Sequence, residues 1–252
     1  MNLPVPQTSE FATGITGRGP LYREIQNQLM QGLAQGVWSA GSALPTEPQL
    51  AQRFGVSIGT IRKAIGELVD ANILIRQQGR GTFVATHNVS RNLFHFFHIV
   101  AQDGVKRVPV PELISFESAK ASTDVAAALN IARGEKVFRV LNLQRLSDVP
   151  VCLDELHIAA QNFSGLTRDE FVNRPSTIYA LYQTRYLINV VRTVERLRAR
   201  SADAATAKIL RLKKGVPVLE IHRVAYTYDD RPVELRISRV NTEQHDYFNT
   251  LT

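Results

Sequence analysis

The sequence feature that most constrains the fold is a pair of short helices predicted between residues 46 and 71. Thr46, with Gln49 three residues later, forms a capping-box signature that marks the start of the first helix. Gly55 limits the length of that helix, and Ser57 then supplies a second N-cap. The helix that follows has one apolar side, made of Ile61, Ile65, Leu68 and Val69. Two short helices joined by a tight glycine-containing turn are typical of a helix-turn-helix.

The segments on either side of this pair predict the rest of a small domain. Residues 21–36 place leucine or isoleucine at every fourth position, which indicates the buried stripe of a preceding helix. Beyond the pair, residues 73–76 and 82–85 have the pattern of two strands around a turn that contains two glycines. A hairpin in this place predicts the wing of a winged helix-turn-helix.

The chain from residue 91 onward changes to strands separated by turns and a few helices, which predicts an α+β domain. Turns at residues 146–150 and 228–232 each link two strands, so we expect a mainly antiparallel sheet. The segments LNIARGEKVFRV and LRLKKGVPVLEI share one pattern, in which leucine is followed by basic residues and glycine and then by a strand, and this indicates an internal duplication. A duplicated sheet of this kind fits a ligand cleft.

Charge suggests a polyanionic partner without locating it. The formal net charge is +7, which favours binding to nucleic acid. Residues 1–88 hold seven Lys or Arg and five Asp or Glu, whereas the remaining residues hold twenty-three and eighteen. The assignment of DNA binding to the N-terminal part therefore depends on the helix pattern and not on basicity.

Other functional classes receive no support from the sequence. No apolar run is long enough to cross a membrane, and the first 20 residues lack a secretory signal pattern. A single cysteine, Cys152, fits a reducing cytoplasm, where we expect the protein to be located. The six histidines have no metal-ligand spacing, and no phosphate-binding or nucleophile motif is present. We therefore expect no catalytic residues, no metal and no cofactor.

A family resemblance agrees with this pattern. Residues 20–84, with PLYREI, ALPTEPQLAQRFGVS, TIRKAI and LVDANILIRQQGRGTFV in order, resemble the DNA-binding domain of GntR-type transcriptional regulators. The remainder resembles the UTRA domain of the HutC-like subgroup, which implies a chorismate-lyase-like fold that binds an effector. The first residues predict a flexible arm at 1–18. The resemblance implies a winged helix-turn-helix at 19–86, a linker at 87–92 and an effector-binding and dimerisation domain at 93–252.

The major groove admits one helix and presents a distinct hydrogen-bonding pattern for each base pair. We therefore expect the exposed start of the second helix of the pair to contact the base edges. Arg62 matches the arginine of the family's TVR-like triplet. Helix starts and the wing tip are suited to hold phosphates. The expected DNA-binding residues are Thr46, Gln49, Ser57, Ile58, Gly59, Thr60, Arg62, Lys63, Gln78, Gly79 and Arg80, and Arg76 is a further candidate.

The sequence departs from the family pattern at two positions. Pro48 and Ile58 stand where the family commonly has arginine. A good bidentate arginine contact contributes about 1–3 kcal/mol of base discrimination, so we expect an operator that differs from the usual family site. Ile58 is suited instead to an apolar contact with a thymine methyl group.

The resemblance also implies an effector site, since family effectors are often small anions held by arginines, hydroxyls and carboxylates. Asp154 and Glu234 match the acidic positions after the two hairpin prolines, and Thr177 and Tyr179 match a Ser-x-Tyr at a helix start. Arg145 matches a basic strand position less closely. The expected effector-binding residues are His98, Arg145, Asp154, Thr177, Tyr179, Arg192 and Glu234.

Two other classes of function stay open at this point. The effector fold is shared with a lyase, so an enzyme is one alternative, and a pure protein-interaction module is another. Structural roles also compete at single residues: helix capping explains Thr46 and Ser57, and surface roles explain His98 and Arg192. The hypothesis is a homodimeric repressor that binds a double-stranded DNA operator and is released by a small-molecule effector.

Overall fold

The computed structural model describes residues 19–87, 96–174 and 176–249, and the chain divides into two compact units, Met1–Thr86 and His87–Thr252. The expected arm and residues 88–92 of the expected linker lie outside the described residues. His87, the first residue of that linker, belongs to the second unit.

The first unit contains three helices and a hairpin, as the sequence predicts. The elements are α1 (Leu21–Ala34), α2 (Glu47–Phe54), α3 (Ile58–Asp70), β1 (Leu74–Gln77) and β2 (Gly81–Val84). Each helix buries its apolar stripe in a common core. The largest fully buried side chains of this core are those of Ile25, Leu29, Leu50, Ile61, Ile65, Leu68 and Leu74.

Local signals fix the ends of α2 and α3. The Thr46 N–H donates to Gln49 Oε1 at 2.8 Å, and Thr46 Oγ1 accepts the Gln49 N–H at 3.5 Å, which completes the capping box. Gly55 ends α2 in the left-handed region with φ of 65°, where glycine has no steric penalty. Ser57 Oγ accepts the Thr60 N–H at 3.1 Å and so starts α3.

The second unit is built on one antiparallel sheet of six strands in the order β4-β5-β6-β9-β8-β7. Its strands are β4 (Val110–Lys120), β5 (Lys136–Leu146), β6 (Val149–Ala159), β7 (Arg192–Ser201), β8 (Pro217–Tyr226) and β9 (Pro232–Val240). The helices are α4 (Thr123–Leu129), α5 (Arg168–Val172), α6 (Ile178–Tyr186) and α7 (Ala204–Leu210). A second, two-stranded sheet pairs β3 (Ile99–Ala101) with β10 (His245–Tyr247).

The helices divide between the two faces of the large sheet. α4 packs against Val137 and α7 packs against Leu143, whereas α5 and α6 pack with Phe138 and Val140. Because successive strand residues point to opposite faces, α4 and α7 cover one face, and α5 and α6 cover the other.

The expected internal duplication is present in the fold. The units β4-α4-β5-β6 and β7-α7-β8-β9 occupy the two halves of the sheet. Ala121 N–H donates to Glu135 O at 2.8 Å, and Ala202 N–H donates to Val216 O at 2.9 Å, in corresponding places. Gly134 N–H donates to Ala121 O, and Gly215 N–H donates to Ala202 O, each at 2.9 Å. The two halves therefore align residue by residue around their helices.

Within residues 19–87, 96–174 and 176–249, the structure has no helix of the length and apolarity that a membrane crossing requires. The same residues contain no cluster of His, Cys, Asp and Glu arranged to hold a metal ion.

Candidate nucleic-acid interface and effector cavity

The exposed side of α3 carries the residues that the sequence predicted to read bases. Arg62 and Lys63 are exposed, whereas Ile61, which precedes them, is buried in the core. Ile58 is 42% exposed, although it is a large apolar residue at the helix start. An exposed isoleucine beside two exposed cations is suited to a surface that a partner covers.

A carboxylate that sequence reasoning missed holds two arginines beside α3. Glu47, the first residue of α2, accepts a hydrogen bond from Arg62 Nε at 3.0 Å and lies 3.6 Å from Arg76 Nη2. Arg76 Nη2 also donates to the Arg62 carbonyl at 3.3 Å. Glu47 therefore positions Arg62 and brings Arg76 of β1 to the same place. The separation of 15 residues between Glu47 and Arg62 gave no sequence signal.

The structure also places the predicted DNA-binding residues of α2, Lys63 of α3 and those of the wing. Thr46 and Gln49 bond to each other in the capping box at the start of α2, and Lys63 Nζ lies 3.9 Å from the centre of the Tyr22 ring. The wing tip exposes its three predicted residues at the turn between β1 and β2. These are Gln78, Gly79 and Arg80.

The second unit contains a cavity of about 150 Å³ beside the start of α6. Its apolar lining includes Phe96, Phe97, Val108, Pro109, Pro111 and Ile178. Its polar lining is made of Gln144, Arg174, Ser176, Thr177, Tyr179 and Arg236. Such a mixture of aromatic walls and a few convergent polar groups is typical of small-molecule sites.

The start of α6 gives the cavity a positive end. Thr177 caps the helix by accepting the Ala180 N–H at 3.1 Å, and a helix N-terminus favours anions. Arg174 Nη1 donates to the Phe171 carbonyl, while its Nε is buried without a hydrogen-bond partner among the described residues. Burial lowers the pKa of Arg174 from its usual value, although an arginine stays charged. This guanidinium is the available cation of the cavity.

Arg236, in contrast, is neutralised by buried carboxylates. Its Nη2 lies 2.8 Å from Glu234 Oε1, and its Nη1 lies 3.8 Å from Asp154 Oδ2. Burial is the largest single influence and favours the neutral guanidine, but the electrostatic effects of Glu234, Tyr179 and Asp154 together outweigh it, so the pKa of Arg236 is raised. The fully buried Glu234 also accepts a hydrogen bond of 2.6 Å from Tyr182. Burial, and then the charge of Glu234, raise the pKa of Tyr179 to about 12.

Four of the seven predicted effector residues belong to this region. Thr177 and Tyr179 line the cavity, and Asp154 and Glu234 hold Arg236 from the sheet. Asp154 also accepts a hydrogen bond from the cavity residue Gln144 at 3.0 Å. Cys152 is buried beside Asp154, and burial raises the pKa of its thiol.

The other three predicted residues lie elsewhere. His98 packs on Tyr247 with ring centres 5.2 Å apart, in a smaller neighbouring cavity. Arg145 pairs with Glu112 at 2.8 Å, and Arg192 pairs with Asp230 at 2.7 Å.

The structure therefore places Arg145 and Arg192 outside this cavity. Successive strand residues point to opposite faces, so Gln144 of β5 faces the cavity and Arg145 faces away from it, and Arg192 begins the edge strand β7. Sequence reasoning also missed Arg174 and Arg236. Arg236 had a usable signal, since it is two residues after Glu234 and so shares its face of β9.

Comparison with known proteins adds the family. The profile of bacterial regulatory proteins of the gntR family matches residues 21–84, and the UTRA domain profile matches residues 105–246. The chain belongs to the GntR family. Its DNA-binding unit is the GntR helix-turn-helix, and its second unit is a UTRA domain. Members of this family are transcriptional regulators, so the chain is a DNA-binding regulator and not an enzyme.

Relatives include repressors of the HutC-like type. A repressor assigned to the fructoselysine utilization operon of Escherichia coli is 30% identical over 215 residues, which covers 85% of this chain and 88% of that protein. The histidine utilization repressor of Pseudomonas aeruginosa is 28% identical over 207 residues and covers 81% of this chain and 80% of that protein.

A solved structure agrees with the fold of the second unit. The ligand-binding domain of a protein assigned to the GntR family from Bordetella bronchiseptica is 26% identical, with a TM-score of 0.60. The match covers 63% of this chain and 99% of that domain.

Proposed function

We propose that this GntR-family chain is a cytoplasmic repressor that binds its operator as a homodimer and is released by a small anionic effector in the UTRA cavity. The observation that carries the proposal is the exposed start of α3, where Arg62 is held by Glu47 beside the wing. The effector part is supported by a cavity lined by both a helix N-terminus and Arg174, whose guanidinium makes no ion pair within 4.0 Å among the described residues.

On the DNA side, Arg62 and Lys63 read base edges in the major groove, and Thr60 with the start of α3 contacts phosphate. Ile58 contributes an apolar contact with a thymine methyl group, because it is exposed at the helix start where the family commonly has arginine. Gln78, Gly79 and Arg80 at the wing tip contact the minor groove or the backbone. Thr46 and Gln49 act at the start of α2.

The direct test is selection of a preferred duplex from a random pool, followed by affinity measurements on that duplex and on a random one. Arg62→Ala should weaken binding to the selected duplex by about 5- to 150-fold, the loss of one good base contact, with a smaller change on the random duplex. Arg133→Ala removes an exposed charge from the second unit and serves as the matched control. Equal losses on both duplexes would contradict a base-reading role for Arg62.

The effector is expected to carry an anionic group at the start of α6 and an apolar or aromatic body against Phe96 and Tyr179. Arg174, Ser176 and Thr177 would hold the anion. Relatives named for fructoselysine and histidine utilization support this chemistry, since both compounds carry a carboxylate.

A thermal-shift screen of carboxylates and phosphate esters tests the cavity. A true effector should raise the unfolding temperature of the wild-type protein and lose this effect in Arg174→Gln. Arg145→Gln is the control, because Arg145 pairs with Glu112 outside the cavity. A ligand that stabilises Arg174→Gln as well as the wild-type protein binds elsewhere.

The proposed mechanism requires two DNA-binding units in a dimer and a coupling between the effector site and the DNA-binding site. A dimer would place two α3 helices in successive major grooves, about 34–36 Å apart along the operator. Light scattering should therefore give twice the chain mass of 28.1 kDa, and the selected duplex should be a near-palindrome. A ligand that binds the cavity and leaves the DNA affinity unchanged would disprove the link.

A further inference from the structure

The second unit carries a concentrated basic surface that the cavity does not use. Arg196, Arg198 and Arg200 alternate along the edge strand β7, and all three are exposed. Alternate residues of a strand point to the same face and lie roughly 6.6 Å apart. The three guanidinium groups therefore form a row along one edge of the sheet.

Helix α7 extends this row on the same face. Ala207 of α7 packs on Val218 of β8, and Val218 pairs with Arg200 across the two strands. Lys208 is exposed on α7, and the exposed Arg211 and Lys213 follow it before β8. The basic edge, as we call it, is the set Arg196, Arg198, Arg200, Lys208, Arg211 and Lys213.

The internal duplication shows that the fold does not require these charges. The matched hydrogen bonds of Ala121 and Ala202 align the two halves, and β4 is the opposite edge strand of the same sheet. In the first half the six equivalent positions are occupied by Ser115, Glu117, Ala119, Ala127, Asn130 and Ala132. One half thus folds with five neutral residues and an acid where the other has six cations. Protection of an exposed edge does not account for them either, because β4 is an edge without them.

Few acids compensate the basic edge. Glu220 Oε1 lies 3.4 Å from Arg200 Nε, but Glu220 Oε2 also lies 3.5 Å from Arg239 Nε, so this acid is shared by two cations. Asp203 is used as the N-cap of α7. Among the described residues, the other five cations of the basic edge take part in no ion pair within 4.0 Å. The surface is therefore strongly positive, with its side chains directed to solvent.

We propose that the basic edge is a second DNA contact, which binds the phosphate backbone of the duplex without reading bases. DNA is the polyanion that a GntR-family regulator meets, and an array of cations without convergent hydrogen-bonding groups suits phosphates better than base edges. The spacing also fits, since two nucleotides of one DNA strand advance about 6.8 Å along the axis. This contact accounts for the excess of positive charge beyond residue 88.

The test replaces cations by the residues of the first half. The variant Arg196→Ser/Arg200→Ala/Lys213→Ala should fold normally, which a thermal unfolding curve checks, because the sister half tolerates these residues. On a 40-base-pair random duplex, each lost phosphate contact should reduce the slope of log affinity against log salt by about 0.9. We expect a reduction of up to about 2.7, with weaker binding at low salt. The ratio of affinities for the selected and random duplexes should stay unchanged.

The control Lys120→Ala/Arg133→Ala/Arg168→Ala removes the same charge from exposed positions outside the basic edge. It should leave the salt slope as in the wild-type protein. A basic-edge variant with wild-type slope and affinity would overturn the proposal, and so would equal effects of both variants. Loss of binding to phosphatidylglycerol vesicles with an unchanged DNA slope would assign the surface to membranes instead. Arg62→Ala should lower the ratio of affinities for the selected and random duplexes, which the basic-edge variant leaves unchanged, so failure of base reading by α3 is observed separately.

Discussion

At the scale of single residues, burial decides what a carboxylate does in this protein. Glu234 has no exposed surface and faces Arg236, Tyr179 and Tyr182, whereas Glu112 is half exposed beside Arg145. A buried charge that loses its partner is strongly destabilising, while an exposed ion pair contributes little. In the sequence each acid is the third residue of a strand and is followed by leucine, so the local pattern alone does not separate the buried acid from the exposed one.

Glu234→Gln tests this contrast. Removal of the carboxylate charge leaves Arg236 with only the more distant Asp154, so the free energy of unfolding should fall by about 3 kcal/mol or more. Glu112→Gln should change it by less than about 1 kcal/mol. Urea denaturation of both variants provides the measurement. Similar values for the two would show that the buried network is not what stabilises the sheet.

At the scale of secondary-structure elements, capping residues fix where the helices of the DNA-binding unit begin. Ser57 accepts the Thr60 N–H, and its Oγ lies 2.9 Å from Thr60 Oγ1. The same end of α3 is where phosphate is expected to bind. Capping and phosphate contact therefore coincide in one side chain, and substitution can separate them.

Ser57→Ala removes the cap and should lower the stability of the first unit by about 1 kcal/mol. Ser57→Asp keeps a capping oxygen and should restore the stability. If Ser57 also contacts phosphate, the added negative charge of Ser57→Asp should weaken DNA binding at low salt below that of Ser57→Ala. Thermal unfolding and fluorescence anisotropy measure the two effects. Recovery of both stability and affinity in Ser57→Asp would leave Ser57 a cap alone.

Elements also show where reasoning from the sequence ends. Helix ends with caps and the β1–β2 hairpin were predicted to within one or two residues, because their signals are local. Which face of β5 lines the cavity was not predicted, since it depends on the helices that pack on each side of the sheet. That face carries Gln144 and not its neighbour Arg145.

At the scale of the whole molecule, charges on the α4 and α7 face form a ladder across the sheet. Arg139 pairs with Glu117 and Glu155, Arg239 pairs with Glu155 and Glu220, and Glu220 pairs with Arg200. The hydrogen bond with His157, together with Arg139, holds the pKa of Glu155 at about 2, against its usual 4.5. The members of this ladder are spread between positions 117 and 239 of the sequence, so they meet only because of the order of the strands in the sheet.

The ladder predicts acid sensitivity of the second unit. In the unfolded chain Glu155 takes up a proton near pH 4.5, whereas in the folded chain it stays charged to about pH 2. Its contribution is therefore fully present above pH 4.5 and is lost as the pH falls from 4.5 to 2. Urea denaturation at several pH values should show a shallower fall in Glu155→Gln, with the exposed Glu243→Gln as the control. An unchanged fall in Glu155→Gln would contradict this assignment.

The coupling of the two units gives a further prediction at this scale. If an effector lowers the operator affinity by some factor, the operator must lower the effector affinity by the same factor. A coupling of about 1–3 kcal/mol corresponds to a 5- to 150-fold change in each direction. Calorimetry with and without the operator measures the effector side, and anisotropy measures the DNA side. Unequal factors would mean that the two ligands do not act on one shared equilibrium.

The sequence by itself determined the winged helix-turn-helix, the antiparallel duplicated sheet and the residues at the start of α3. Caps, turns and apolar periodicity act over a few residues, so their signals are present in the linear chain. Tertiary structure alone decided that Glu47 holds Arg62, that Arg174 and Arg236 face the cavity, and that the basic edge forms one surface. Those contacts join residues far apart in sequence, and strand order and register, which depend on packing, decide which of them meet.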